Sequence, residues 1–392
     1  MKPSLSPEEF IELIRTAFSP GPEDEQIALL VDLPGGEIPD NPGWQIRRRL
    51  VWNWYGILKA ECRKLGLKKA VLFGYKTVRS NNAELPEKLY LLRTSPENLT
   101  AERLPEMGRE IQRDRALAES RIVIAPTEFS ATAPLKKLAQ ELGFRAATMP
   151  GFSEQMIPAL RLNWREVDRR VRQIARLLDR AELAEIRFKT PAGSHRLILD
   201  LRFRRAHVSG GRFPRPKMVG NLPSGESYIV PFEGDGKHSS RSNGVLPVQF
   251  GSEIVLYEIS ENRAANVLSH GPKSEEERRK LAEEPAYGNL AELGFGILAD
   301  FGIQPVGAVL LDEKLGLHVA FGRSDHFGGK VGPEDFRRSE NVIHIDRIYI
   351  PAAQPDVRIE SVCLEMGGGE KFTVISNGKY RIFMTGKGND EK

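Results

Sequence analysis

The chain has 392 residues, 40% of them hydrophobic and 28% charged, with 57 basic against 53 acidic side chains and a net charge of +4. That length suggests two or three domains, and the composition is that of a soluble globular protein. So mild a charge, with no basic stretch interleaved with stacking aromatics, argues against a nucleic-acid partner. No apolar run approaches the ~20 residues of a membrane span. The opening "MKPSLSPEEF" has no apolar signal-peptide core, so a cytoplasmic protein is expected.

In chain order, "SPEEFIELIRTAF" (6–18) predicts a capped helix, with Ser6 as N-cap, Pro7 at the first helical position and Glu9 three residues after the cap. A short apolar strand, "QIALLVDLPG", follows and ends at Pro-Gly. An amphipathic helix over Trp44–Leu65 and a strand over 69–77 come next, then strand, polar loop and helix over 120–144. Apolar strands alternating with amphipathic helices predict an α/β layer with a parallel sheet. Neither a GxGxxG turn nor a Walker loop is present, so no nucleotide is expected.

After about residue 160 the texture changes. "NWREVDRRVRQIARLLDRA" (163–181) predicts one amphipathic helix and "SEEERRKLAEE" (274–284) a solvated one. The rest reads as many short strands between Gly and Pro turns, including the run "FGILADFGIQPVGAVLLDE". The expected fold is an α/β domain over 1–160 followed by a strand-rich α+β domain over 161–392, with the closing "GKGNDEK" disordered. Cys62 and Cys363 form no CxxC motif and read as two reduced, buried thiols.

Acidic residues then occur where acids are costly. His344 and Asp346 sit two apart in "NVIHIDRIYIP" and so point to one side of a strand, among isoleucines. Glu226 opens "ESYIVP" after a Pro-Gly turn. Glu292 lies inside "NLAELGFGIL". Glu313 ends "VGAVLLDE", and His318 opens "HVAFG" five residues later, as a hairpin would place it. Several carboxylates in one site repel one another unless a cation is present. Carboxylates with imidazoles suit zinc, cobalt, manganese or iron. Six such groups exceed one tetrahedral zinc and suit two metals. The competing reading is scattered carboxylates, each paired with an arginine.

At this set the sequence resembles the thermophilic metallo-aminopeptidase family, of the aminopeptidase T type. The resemblance rests on "NLPSGE" ending at Glu226, "NLAELG" with Glu292, "EKLGLHVAFG" with Glu313 and His318, and the final "HID" with His344 and Asp346. It covers roughly 165–360. It implies that Glu226, Glu292, Glu313, His318, His344 and Asp346 are the metal ligands, and that Glu292 also serves as general base. Where the family carries a catalytic tyrosine, this chain has Asp325, with His326 beside it as a candidate donor. "DEK" stands where the family has "xEN".

The resemblance implies a homodimeric aminopeptidase that uses two divalent ions (zinc, cobalt or manganese) to remove N-terminal residues from short peptides. The alternative is a non-haem iron(II) ring-cleaving dioxygenase, for which His318, His344 and Asp346 make a two-histidine, one-carboxylate set. A third reading is a homologue that binds metal without turnover.

Overall fold

The computed structural model describes residues 4–383. The closing stretch 386–392, expected to be disordered, lies outside them. Two compact units form: Met1–Asp168 with Ser209–Ser224 and Val306–Leu311, and Arg169–Val208 with Gly225–Pro305 and Asp312–Lys392. The fold is mixed α/β with large strand-rich sheets, as expected.

The first unit holds a seven-stranded sheet. Its spatial order is Val219–Asn221, Arg145–Thr148, Ile122–Ala125, Gln26–Leu33, Lys69–Lys76, Lys88–Leu92 and Gly108–Gln112. The first five strands are parallel and the last two antiparallel. Gln26–Leu33 and Ile122–Ala125 are buried throughout, which is why they read as apolar runs, interrupted in the first only by Gln26 and Asp32. The helix Pro7–Phe18 carries the expected capping box, Ser6 accepting from the Glu9 amide and Glu9 accepting from the Ser6 amide. The second helix runs over Pro42–Glu61 behind Asn41, whose side chain accepts from the Trp44 amide.

In the second unit, eight antiparallel strands form one sheet, from Arg263–Val267 at one edge to Lys379–Tyr380 at the other. A five-stranded sheet lies in the order His344–Ile348, Leu317–Gly322, Leu290–Gly296, Glu226–Ile229, His207–Ser209. The run "VGAVLLDE" differs from its strand reading. Val309–Asp312 is a single helical turn, continued as a 3-10 turn over Glu313–Leu315. No hairpin therefore joins Glu313 to His318. A short apolar run bears no period long enough to separate strand from helix, and here the helix forms. Both cysteines are unbonded thiols. Cys62 is buried, and Cys363 is half-buried on the Arg358–Met366 strand. Among the described residues no helix is long and apolar enough to cross a membrane.

A candidate metal centre on one face of the five-stranded sheet

Directly opposed residues in antiparallel strands share a face. The register places Glu226 opposite Gly296 and Tyr228 opposite Gly294. It then sets Gly294 against His318, Glu292 against Ala320, Ala320 against Asp346, and Gly322 against His344. One face thus carries Glu226, Tyr228, Glu292, His318, His344 and Asp346. Between them stand Gly294, Gly296, Ala320 and Gly322, residues too small to fill the space.

That smallness is required at Gly294. A Cβ there would lie 1.9 Å from His318 Nε2. Gly294→Ala should therefore push the imidazole out of place and weaken metal binding by about 10–100-fold, the size of effect seen when a ligand loses its support. A competition titration against a metallochromic chelator reads this directly, and unchanged affinity would contradict it.

Glu292 is the hub. Its Oε1 lies 3.1 Å from His318 Nε2 and its Oε2 lies 3.4 Å from His344 Nε2. His318 Nε2 is also 3.6 Å from Glu226 Oε2, and His344 Nε2 is 3.7 Å from Asp346 Oδ1. Ligand atoms converge in two sets of three: Glu226, Glu292 and His318, and Glu292, His344 and Asp346. Both imidazoles are oriented from behind. His318 Nδ1 lies 3.3 Å from the Gly316 carbonyl and His344 Nδ1 2.8 Å from the Arg323 carbonyl. Donation there leaves each Nε2 lone pair facing inward, the arrangement usual for metal-binding histidines.

Lys314 completes the centre and went unread in the sequence, although "DEK" contained it. Its side chain is buried, and its ammonium donates to Glu226 Oε1 at 2.5 Å and to Glu313 Oε1. Glu313 is thereby drawn to Lys314 and falls in neither three-ligand set. The sixth sequence candidate thus lies beside the sets rather than within them. The alternation that flagged Asp346 also marks Tyr228, two residues after Glu226, and Tyr228 was likewise missed. Asp325 forms a two-toothed pair with Arg323, at 2.5 and 3.1 Å. His326 lies beside His344, ring centroids 5.2 Å apart.

Four carboxylates meet one ammonium here, and the protonation pattern reflects the deficit. Burial opposes charging His318 and His344, but the bonds to Glu292 and the charge of Asp346 win, raising them to about 10 and about 9. Burial also works against the Glu292 carboxylate, and the two imidazoles overcome it and hold its pKa low. Burial raises Glu226 and Glu313 against the pull of Lys314. Burial, with His344 and Arg323 adding to it, lowers His326 to about 4. In the metal-free protein, protons on His318 and His344 do a cation's work. Those two groups stabilise the fold fully below ~6.5, the ordinary histidine value. Their contribution is lost as pH rises through about 9 to about 10. Chelator-treated protein should therefore melt at progressively lower temperature from pH 7 to pH 10. Metal-loaded protein, whose imidazoles bind in neutral form, should show a flatter profile. Parallel profiles would sink this account.

The residues fit a metal by an observation independent of spacing. Glu226 Oε2 is buried without a hydrogen-bond partner and faces His318. A buried carboxylate oxygen left so is costly unless a cation meets it. A separate open cavity of about 780 Å³, lined in part by Glu233, Lys237, Arg263, Arg278 and Lys330, contains none of these residues. Lys330 there is already engaged by the Gly234 carbonyl, and Arg278 by those of Val267 and Ser269.

Fold and site together describe an α/β protein with a carboxylate–imidazole centre suited to divalent metal. No family model matches the chain, and no curated protein sequence does. Solved structures share its fold. A 2,5-dihydroxypyridine dioxygenase from Pseudomonas putida KT2440 superposes with a TM-score of 0.58 at 15% identity, over 95% of this chain and 96% of that one. Wild-type AmpT from Thermus thermophilus superposes with a TM-score of 0.54 at 17% identity, over 96% of this chain and 98% of that one. At these identities both establish the fold alone.

Proposed function

We propose that the chain is a metal-dependent hydrolase that releases N-terminal residues from short peptides. The observation that supports this reading is the pair of three-ligand sets sharing Glu292. Glu226, Glu292 and His318 would hold one divalent ion, and Glu292, His344 and Asp346 a second, with zinc, cobalt or manganese suiting the donors. Such ions, when bound, polarise a carbonyl and make water nucleophilic near neutral pH. The protein's own groups do the rest. The Gly316 and Arg323 carbonyls fix the two imidazole tautomers. Both Glu292 oxygens face imidazoles, so the general-base role that the resemblance gives Glu292 would pass to Glu313, which lies outside either set and could take a proton from water and return it to the departing amine. A homodimer in the cytoplasm is the setting that accompanies this reading.

One observation favours a second reading. Lys314 already bonds both Glu226 and Glu313, and with those two engaged His318, His344 and Asp346 would serve a single iron(II) in a ring-cleaving dioxygenase. Elemental analysis beside paired assays separates the two. Two divalent ions per chain with release of an N-terminal amino acid supports the hydrolase. One iron per chain with oxygen uptake on a dihydroxylated ring overturns it.

A further inference from the structure

Hydrolysis of an amide places negative charge on the carbonyl oxygen, and a fixed hydrogen-bond donor aimed at that oxygen is worth much of the rate. The position expected to supply one is Asp325, which is an acceptor and is taken up by Arg323. Lys314 is taken up by Glu226 and Glu313. Tyr228 is not so committed. It stands on the site face, two residues after Glu226 and opposite Gly294. Gly294 is also the cross-strand partner of His318 and lies directly against its imidazole, so Tyr228 and His318 flank one residue that has no side chain.

Its ring is held rigidly. His207 stacks on it with centroids 4.9 Å apart and planes 14° from parallel. Phe327 meets it edge-on at 4.9 Å. His207 Nε2 is in turn fixed 2.9 Å from the Phe327 carbonyl, and the Phe327 ring lies 5.4 Å from that of His344. A donor held by packing on both sides costs no reorganisation when charge develops.

We propose that the Tyr228 hydroxyl donates the hydrogen bond that stabilises the developing oxyanion. The proposal rests on the hydrolytic reading above. As the water oxygen bonds to the carbonyl carbon, the π pair moves onto the carbonyl oxygen and accepts from Tyr228. The pair returns as the C–N bond breaks, and the nitrogen leaves with its bonding pair and the proton taken from water. Tyr228 keeps its own proton throughout.

The test compares wild type with Tyr228→Phe, both loaded with zinc, on an aminoacyl anilide and on a short peptide. The variant should lose about 10²–10³-fold in kcat with KM little changed. Calorimetry should show an α-aminophosphonate, a tetrahedral anion, binding at least ~10-fold more weakly to the variant, a loss of ~1.4 kcal/mol. Metal content and affinity for the product amino acid should stay the same. An active wild type with an equally active Tyr228→Phe overturns the role of Tyr228 and leaves the hydrolytic reading intact. So does a loss that merely follows lost metal, or one seen only in His326→Gln. A wild type that cleaves neither substrate removes both proposals together.

Discussion

Glu292→Gln should abolish turnover while leaving the fold intact. Glutamine keeps the shape of the side chain, so packing around residue 292, which is 4% exposed, is preserved. What changes is charge and donor count. One carboxylate oxygen becomes an amide NH₂, and whichever way the amide turns, that group faces an imidazole Nε2 that in the wild type lies 3.1 or 3.4 Å from an oxygen. Because Glu292 belongs to both three-ligand sets, no other single substitution removes charge from both. The expected loss is about 1,000-fold or more in kcat/KM, or ~4 kcal/mol of transition-state stabilisation. Metal affinity should fall with it. Activity and elemental analysis of the purified variant, beside its far-ultraviolet spectrum, check both. Retained turnover with native metal content would remove Glu292 from the centre.

The same substitution separates metal from fold. In the metal-free protein the Glu292 carboxylate holds protons on His318 and His344. Without it, those imidazoles lose the partner that raises them, and their pKa values should fall toward the ordinary range. The metal-free variant should then lose less stability than metal-free wild type between pH 7 and pH 10. Reduced activity and a flattened pH profile from one change would both trace to the oxygens of residue 292.

Much of this centre was legible because strand alternation is a strict period. His344 and Asp346 share a face in any strand pairing, and an acid among isoleucines marks a buried partner. The capping box of Pro7–Phe18 is equally local, and the structure has it as the sequence implied. Other features depend on tertiary placement. Val219–Asn221 is three residues long and becomes a strand only because Arg145–Thr148 offers it a parallel edge. Lys88–Leu92 and Gly108–Gln112 pair across a long connection with no tight-turn signal. Glu313 looked like a strand end, and its helical turn is set by context rather than by period. Lys314 is the sharpest case. Lysines are usually solvated, and nothing in "DEK" announces burial. Only the arrival of Glu226 from elsewhere in the chain, beside the adjacent Glu313, makes that burial tolerable.

Removing that cation should therefore be costly. Lys314→Met keeps the length and apolar stem of the side chain but leaves the buried Glu226 and the half-buried Glu313 without the ammonium that bonds both. Breaking a buried pair by deleting one partner costs about 3–5 kcal/mol, since the remaining charge is left uncompensated. The pH dependence has a definite sign. Burial already raises both carboxylates, and loss of Lys314 removes a charge that lowers them. They should take up protons at higher pH in the variant than in the wild type. The penalty should then shrink as pH falls and grow as pH rises, and denaturant melts at pH 5 and pH 8 measure the difference. Divalent metal should offset part of it, because a cation binding near Glu226 supplies what the ammonium did. Metal stoichiometry then distinguishes two roles for Lys314. If the ammonium occupies the place of a second ion, Lys314→Met should bind one more ion per chain than wild type. If it only tethers Glu313 beside a two-ion centre, the count should stay at two while Glu313 loses its fixed position. A Lys314→Met protein as stable as wild type at pH 8, with unchanged metal content, would mean that Glu226 and Glu313 are neutral without it.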